Sequence, residues 1–226
     1  MMTLKNSSYG LVLFIAVLVS LSFSNRKPKI LIIGDSISIG YTPFVKQNLI
    51  NKAVVEHNPG NAQHTDTGLN KVKEWIGEEE WDIIQFNWGL WDLCYRHPDA
   101  KNQGNRDKIN GEITHSLDLY RANLEALVQT IKQLSDAKLI FVTTSYVPKE
   151  EAGRFPEDAI KYNEVAKKVM SEHNVLVNDI YKESIGIHKR FGKGPDDVHY
   201  TKRGYKKLGK KISKFLNTEL KSIIKE

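Results

Sequence analysis

The 226-residue sequence contains a single cysteine, Cys94, which excludes an internal disulfide and any metal site built from several cysteines. It also lacks the HExxH pattern of zinc proteases, and His57 and His64 are too widely spaced to form a tight pair of ligands on one helix. No GxGxxG motif follows a predicted strand, which disfavours a dinucleotide cofactor. We therefore predict a protein without a metal or a cofactor, in which Cys94 is a buried or half-buried thiol.

The charge balance does not by itself indicate a nucleic-acid partner. Hydrophobic residues make up 40% and charged residues 27% of the chain, which are ordinary proportions for a soluble globular domain. The net charge is +6, and nine of the 33 lysines and arginines fall in the last 25 residues. Apolar side chains recur there at a spacing of three or four, so the lysines fall on the solvated face of an amphipathic helix. We predict no nucleic-acid partner, with a polyanion-binding protein as an alternative.

Long apolar runs are absent after residue 23. The run over residues 11–23 follows Lys5, is short for a membrane span, and precedes the small and polar Ser24 and Asn25. We therefore predict a signal peptide over residues 1–25 and one domain over residues 26–226. The mature protein would be periplasmic or secreted, without stable membrane association after cleavage. An uncleaved N-terminal anchor is the alternative.

Strand and helix patterns alternate through the rest of the chain. Predicted strands cover residues 29–33, 53–57, 81–86, 138–143 and 175–177. Predicted helices cover residues 42–51, 68–76, 117–134, 156–173 and 201–224, while residues 96–115 form a long irregular loop of the kind that often carries function. This alternation predicts the α/β class: a three-layer α/β/α sandwich whose central sheet has five parallel strands.

The first predicted strand ends in Gly34, Asp35 and Ser36. Ser36 therefore lies at the carboxyl end of a buried strand, where open α/β sheets place their ligands. Because a helix follows closely, free backbone N–H groups and the positive end of the helix dipole would face a developing negative charge. This placement suits a nucleophilic serine, although Gly, Asp and Ser are also common in ordinary turns and caps.

A second group of polar residues precedes the last predicted helix. Asp196, Asp197 and His199 lie together at this junction. A serine nucleophile needs an imidazole to accept its proton and a carboxylate to orient that imidazole. His199 and either aspartate fit these roles, whereas a helix cap and an incidental histidine are the simpler alternative.

These motifs, in this order, resemble those of the SGNH (GDSL-type) hydrolase superfamily. The resemblance covers nearly the whole chain after the apolar run and implies a flavodoxin-like fold and a serine esterase. It implies Ser36 as nucleophile, His199 as general base and Asp196 as the residue that orients it. It further implies an oxyanion hole composed of the Ser36 N–H, the Gly60 N–H and the Asn87 side chain.

Two positions depart from the pattern of the superfamily. The third motif is usually GxND, but here Trp91 stands where the asparagine is expected. We therefore assign the asparagine role to Asn87, at the end of the third strand, and treat Asp92 as a structural cap. In the second motif, Asn61 is an alternative to Gly60.

Three aromatic residues follow Asn87, namely Trp88, Trp91 and Tyr95. Aromatic rings stack on sugars, so we predict that these three bind substrate, with polar contacts from Arg96, His97 and Arg106. Packing of the tryptophans in the core is an equal alternative. The resemblance implies an esterase that removes O-acetyl groups from carbohydrates. A lipid or aryl ester hydrolase and a non-catalytic carbohydrate-binding protein of the same fold are the alternatives.

Overall fold

A computed structural model describes residues 26–223 of the chain. The predicted signal peptide, residues 1–25, lies outside the described residues, so its cleavage stays a prediction. Within residues 26–223, no helix combines the length and the apolar character needed to cross a membrane.

The core of the protein is a five-stranded parallel sheet. Its strands, in chain order, are β1 (Lys29–Ile33), β2 (Val54–His57), β3 (Ile83–Phe86), β6 (Lys138–Val142) and β7 (Leu176–Asn178). They pair in the order β2-β1-β3-β6-β7, and every pairing is parallel. The central strands are mostly buried apolar residues, with Gln85 as a buried polar residue of β3, as expected for strands covered on both faces. The predicted fold class is confirmed.

Within residues 26–223, six helices form two groups around this sheet. They are α1 (Ser36–Leu49), α2 (Thr65–Ile76), α3 (Leu117–Leu134), α4 (Pro156–Glu172), α5 (Tyr181–Phe191) and α6 (Lys202–Ile223). Helix α6 contacts α1 and α5, whereas α3 contacts α2 and α4. Because β1 lies between β2 and β3, the chain changes direction at β1 and opens a crevice at its carboxyl end.

Several elements differ from the sequence prediction. Helix α1 begins at Ser36 instead of residue 42, because the Asp35 side chain caps it by accepting from the Ile37 N–H. Helix α5 was not predicted. Neither was the antiparallel hairpin of β8 (Gly192–Gly194) and β9 (Asp197–Tyr200), which precedes α6.

The predicted irregular loop between β3 and α3 contains a small ribbon. Two short antiparallel strands, β4 (Tyr95–Arg96) and β5 (Glu112–Ile113), pair with each other, and a single bridge joins Arg96 to Arg106. A short 3-10 turn covers Gln103–Asn105. The ribbon fixes this part of the loop beside the carboxyl ends of the sheet strands.

Candidate active site

Ser36 is the first residue of α1 and follows directly on β1. Its backbone is held from both sides: the Gly34 N–H donates to Asn58 Oδ1 at 3.0 Å, and the Asp35 carboxylate caps the helix. The Ser36 side chain is half-buried and lines an open cleft. The start of α1 thus presents the Ser36 hydroxyl to that cleft.

His199 lies on β9 and reaches Ser36 across 163 positions of sequence. The Ser36 Oγ and His199 Nε2 atoms are 2.9 Å apart, within hydrogen-bonding distance. The expected proximity of the hydroxyl and the imidazole is therefore present, and their catalytic roles stay predictions.

The carboxylate that contacts His199 belongs to Asp197. Asp197 Oδ1 lies 2.5 Å from His199 Nδ1 and also accepts from the His199 backbone N–H at 2.8 Å. The assignment of Asp196 was wrong, because it assumed a loop in which residues three apart meet. His199 belongs to a strand, where residues two apart project to the same side, and Asp196 is an exposed residue of the cleft rim.

These contacts define the state of the imidazole. A carboxylate accepts hydrogen bonds, so His199 Nδ1 carries a proton and donates it to Asp197, which leaves Nε2 to accept from the Ser36 hydroxyl. Burial alone raises the pKa of Asp197. The hydrogen bonds from the backbone and the ring of His199, together with the charge of Lys193, outweigh burial and hold the pKa of Asp197 below its usual range.

The cleft around Ser36 and His199 has a volume of about 620 Å³. Its walls come from the end of β1, the β2–α2 loop, the β3–α3 loop, the β6–α4 loop and the β8–β9 hairpin. Besides Ser36, His199 and the two aspartates of the hairpin, the lining includes Asp35, Asn61, Leu90, Trp91, Arg96, Gln103, Gly104, Arg106, Arg154, Lys193 and Val198.

Asn87 does not line this cleft, contrary to its predicted place in the oxyanion hole. It is 8% exposed, and its Nδ2 donates to the Val142 carbonyl at the end of β6, at 2.7 Å. Asn87 follows β3, next to β6 in the sheet, so its short side chain meets the end of that neighbouring strand. It thereby ties two strand ends together.

Gly60 is also absent from the lining, although its neighbour Asn61 is present. Gly60 is exposed in a turn with φ of 70°, which favours glycine. The Asn61 Oδ1 accepts from the Gln63 N–H at 2.8 Å, which leaves the Asn61 amide group as a donor. The alternative to Gly60 therefore has the better placement.

The three aromatic residues have three different environments. Trp88 is 0% exposed, and its indole donates to the Ala62 carbonyl at 3.2 Å, so its assignment to substrate binding was wrong and the core alternative holds. Tyr95 does not line the cleft, because its hydroxyl donates to Asp158 and holds the ring against the start of α4. Trp91 does line the cleft, and its contact with substrate stays a prediction.

Sequence reasoning missed a buried cluster of charges beneath the cleft. Glu151, 0% exposed, accepts hydrogen bonds from Arg106 at 2.6 Å and from Arg154 at 2.9 Å. The Arg154 Nε also donates to the Leu90 carbonyl. Nothing in the local pattern predicts this cluster, because Arg106 lies some fifty positions away from the other two.

A second cluster brings together side chains that are able to hold a metal ion. Donor atoms of His64, Asp66 and His115 lie within 4.8 Å of one another. His115 is already engaged on both sides, with Nδ1 at 2.7 Å from Asp92 and Nε2 at 2.9 Å from Asp66. The His64 Nδ1 accepts from the Thr67 N–H, which places the proton on Nε2 and removes that atom as a ligand. The contacts favour a charged histidine between two carboxylates over a metal centre.

The chain matches the model of the GDSL-like lipase/acylhydrolase family over residues 32–207. No curated protein matches it. Among solved structures, a lipase/acylhydrolase from Enterococcus faecalis is 22% identical, with a TM-score of 0.64, 85% of this chain covered and 96% of that one. The acetylxylan esterase Axe2 from Geobacillus stearothermophilus is 21% identical, with a TM-score of 0.61, 82% of this chain covered and 92% of that one. These two structures share the fold of this chain.

Proposed function

Because the chain belongs to the GDSL-like lipase/acylhydrolase family and is an ester hydrolase, we propose that it removes O-acyl groups, in particular O-acetyl groups, from carbohydrates. The observation that carries the proposal is the contact sequence Ser36–His199–Asp197, which opens on a cleft of about 620 Å³. This is the hydrogen-bonded arrangement that activates a serine hydroxyl. The proposal includes the predicted export of the protein.

Acyl transfer follows from the positions of these groups. His199 Nε2 accepts the proton of the Ser36 hydroxyl while Oγ forms a bond to the ester carbonyl carbon. Ser36 and Asn61 line the same cleft, and we propose the Ser36 N–H and the Asn61 amide group as the donors to the oxyanion. The sugar oxygen leaves with the proton held by His199. Water then attacks the acyl-serine, with His199 again accepting and returning a proton.

The breadth of the cleft and its surface favour a carbohydrate over a lipid. The lining is dominated by charged and polar side chains, with Leu90, Trp91 and Val198 as the apolar members. A lipid chain gains free energy mainly from apolar burial, which this lining offers poorly. An aromatic ring among polar groups suits a sugar, which has both apolar faces and hydroxyl edges. The resemblance in fold to an acetylxylan esterase agrees with this substrate class.

The test compares the wild type with Ser36→Ala on acetylated xylo-oligosaccharides and on p-nitrophenyl esters of two, four and eight carbons. We expect Ser36→Ala to fold normally and to lose at least about 10⁴-fold in kcat, because the variant has no nucleophile. We expect the wild type to prefer the acetate ester. Equal activity of Ser36→Ala contradicts the mechanism, a preference for the eight-carbon ester favours a lipid substrate, and no hydrolysis of any ester favours a non-catalytic carbohydrate-binding protein.

A further inference from the structure

The active-site cleft has four cationic side chains and three carboxylates in its lining. Its lining contains three arginines and one lysine, namely Arg96, Arg106, Arg154 and Lys193. Two of the three carboxylates in this lining accept hydrogen bonds from the protein, and the third is exposed at the rim of the cleft. Asp35 caps α1, Asp197 contacts His199, and Asp196 is exposed.

The two arginines deepest in the cleft, Arg106 and Arg154, share one carboxylate as their direct ion-pair partner. Glu151 is the single carboxylate that contacts both Arg106 and Arg154, and its other oxygen accepts from the Gly153 N–H at 2.7 Å. One negative charge therefore faces two guanidinium groups. Arg154 is only 5% exposed, and its charge also acts on Asp35, the residue before Ser36. Each guanidinium group has more N–H donors than the contacts named above use, and the remaining donors can bind an approaching anion.

The more exposed cations of the cleft are Arg96 and Lys193, and the charge of Lys193 acts on Asp197. Within residues 26–223, no ion pair is formed by Arg96 or Lys193. The Arg96 guanidinium lies 5.0 Å from the centre of the Trp91 ring and donates to the Gly104 carbonyl, so its position is fixed while part of its donor set stays free. Lys193 extends from the β8–β9 hairpin on the side of the cleft that carries His199.

We propose that four cations of the cleft select acylated sugars that carry an anionic group, either a carboxylate or a sulfate, near the scissile ester. These cations, here called the wall, are Arg96, Arg106, Arg154 and Lys193. The inference rests on the proposed function and narrows its substrate class. Guanidinium groups bind such planar or tetrahedral oxyanions through charge-assisted hydrogen bonds. The net charge of +6 also favours the approach of an acidic polysaccharide over that of a neutral one.

The experiment measures acetate release from acetylated oligogalacturonides, which carry carboxylates, and from acetylated xylo-oligosaccharides without uronic acid, which are neutral. An acetylated, sulfated oligosaccharide forms a third arm and separates the two anionic groups. We expect the wild type to show at least about a tenfold higher kcat/KM for one anionic substrate at low ionic strength, and we expect added salt to reduce the preference. Equal kcat/KM on all three substrates overturns the inference.

Arg96→Gln and Lys193→Gln test the wall without disturbing the buried cluster around Glu151. We expect each variant to reduce the ratio of anionic to neutral kcat/KM by about fivefold, mainly through KM on the anionic substrate, as for a partly exposed charge-assisted contact. Arg190→Gln, on the exposed side of α5 and outside the cleft lining, is the matched control and should leave the ratio unchanged.

The outcomes separate this inference from the proposed function. If both wall variants keep the wild-type ratio, or if Arg190→Gln changes it equally, the anionic selection is wrong while ester hydrolysis stands. If the wild type releases no acetate from any of the three substrates, and from p-nitrophenyl acetate either, the proposed function itself has failed.

Discussion

At the level of single residues, the imidazole of His199 depends on one of two adjacent aspartates. Asp197 accepts hydrogen bonds from both the ring and the backbone of His199, whereas Asp196 points to the rim of the cleft without contacting the ring. Only Asp197 can hold the proton on Nδ1 and leave Nε2 to accept from Ser36.

Paired substitutions distinguish the two aspartates. We expect Asp197→Asn to lower kcat by about 10³- to 10⁴-fold, since an amide no longer enforces the productive tautomer, and Asp196→Asn to change it by less than about threefold. The measurement is kcat on p-nitrophenyl acetate, with circular dichroism to verify folding. A larger loss in the Asp196 variant would restore the assignment made from the spacing of the motif.

The tryptophans show how side chains of one type take different roles. Both Trp88 and Trp91 follow the same buried strand, but the indole of Trp88 packs inside the protein while Trp91 lines the cleft beneath Arg96. Each indole ring has a large apolar area to bury, so the sequence alone does not distinguish the two environments. Burial of Trp88 also limits α2, because a Cβ on Gly68 would lie 2.6 Å from its ring.

At the level of elements, the packing of α1 against α6 brings the first and last helices together. Gly209 lies where α6 crosses α1, and a Cβ there would lie 2.7 Å from Phe44 Cβ and 3.1 Å from the Tyr41 carbonyl oxygen. The carbonyl oxygen is a backbone atom and the Cβ is bonded directly to the backbone, so neither atom can move unless α1 moves. Gly186 in α5 has nothing within 4 Å of the same position.

Alanine at these two glycines should have opposite effects on stability. In Gly186→Ala we expect a gain of about 0.5–1 kcal/mol, the helix propensity of alanine over glycine. In Gly209→Ala we expect a net loss of about 1–3 kcal/mol, because overpacking exceeds that gain. Urea denaturation of each variant gives both values. If Gly209→Ala is stabilised as much as Gly186→Ala, the close contact between the helices is not rigid.

At the level of the whole molecule, the His115 cluster joins α2 to both ends of the β3–α3 loop. His115 precedes α3, Asp66 lies in α2, and Asp92 lies in the β3–α3 loop, where it also accepts from Thr65 at the start of α2. The hydrogen bond to Asp92 raises the pKa of His115 above its ordinary value of 6.5; burial opposes this effect, and the charges of Asp92 and Asp66 add to it.

The raised pKa has a definite consequence for stability. A group whose pKa is higher in the folded state stabilises that state fully below its unfolded pKa, and the contribution is lost as pH rises through the folded pKa. We therefore expect the difference in unfolding free energy between the wild type and His115→Gln to be larger at pH 5.5 than at pH 9. Urea denaturation at both pH values measures it. A difference that is constant or grows with pH would show that His115 is neutral in the folded protein.

The sequence by itself determined the class of fold and the chemical centre. Buried apolar strands alternating with amphipathic helices predicted the parallel sheet, and α3 was predicted with its observed bounds, Leu117–Leu134. Ser36 is identified as the candidate nucleophile because it directly follows a buried strand, and neighbouring residues alone determine that position. These are local properties of the chain, set by periodicity and by the caps of helices.

Only the tertiary structure decided which groups surround that centre. Asp197 contacts His199 in place of Asp196, because residues 197–200 form a strand. The Asn87 side chain contacts the end of β6, and Arg106 contacts Glu151, which lies in a distant part of the chain. The contacts of Asn87 and Arg106 join segments whose relative position depends on the assembled sheet and its loops, whereas Asp197 meets His199 within one strand. Side-chain direction on a short hairpin and the pairing of buried charges carry no periodic signal, so they emerge only when the elements pack.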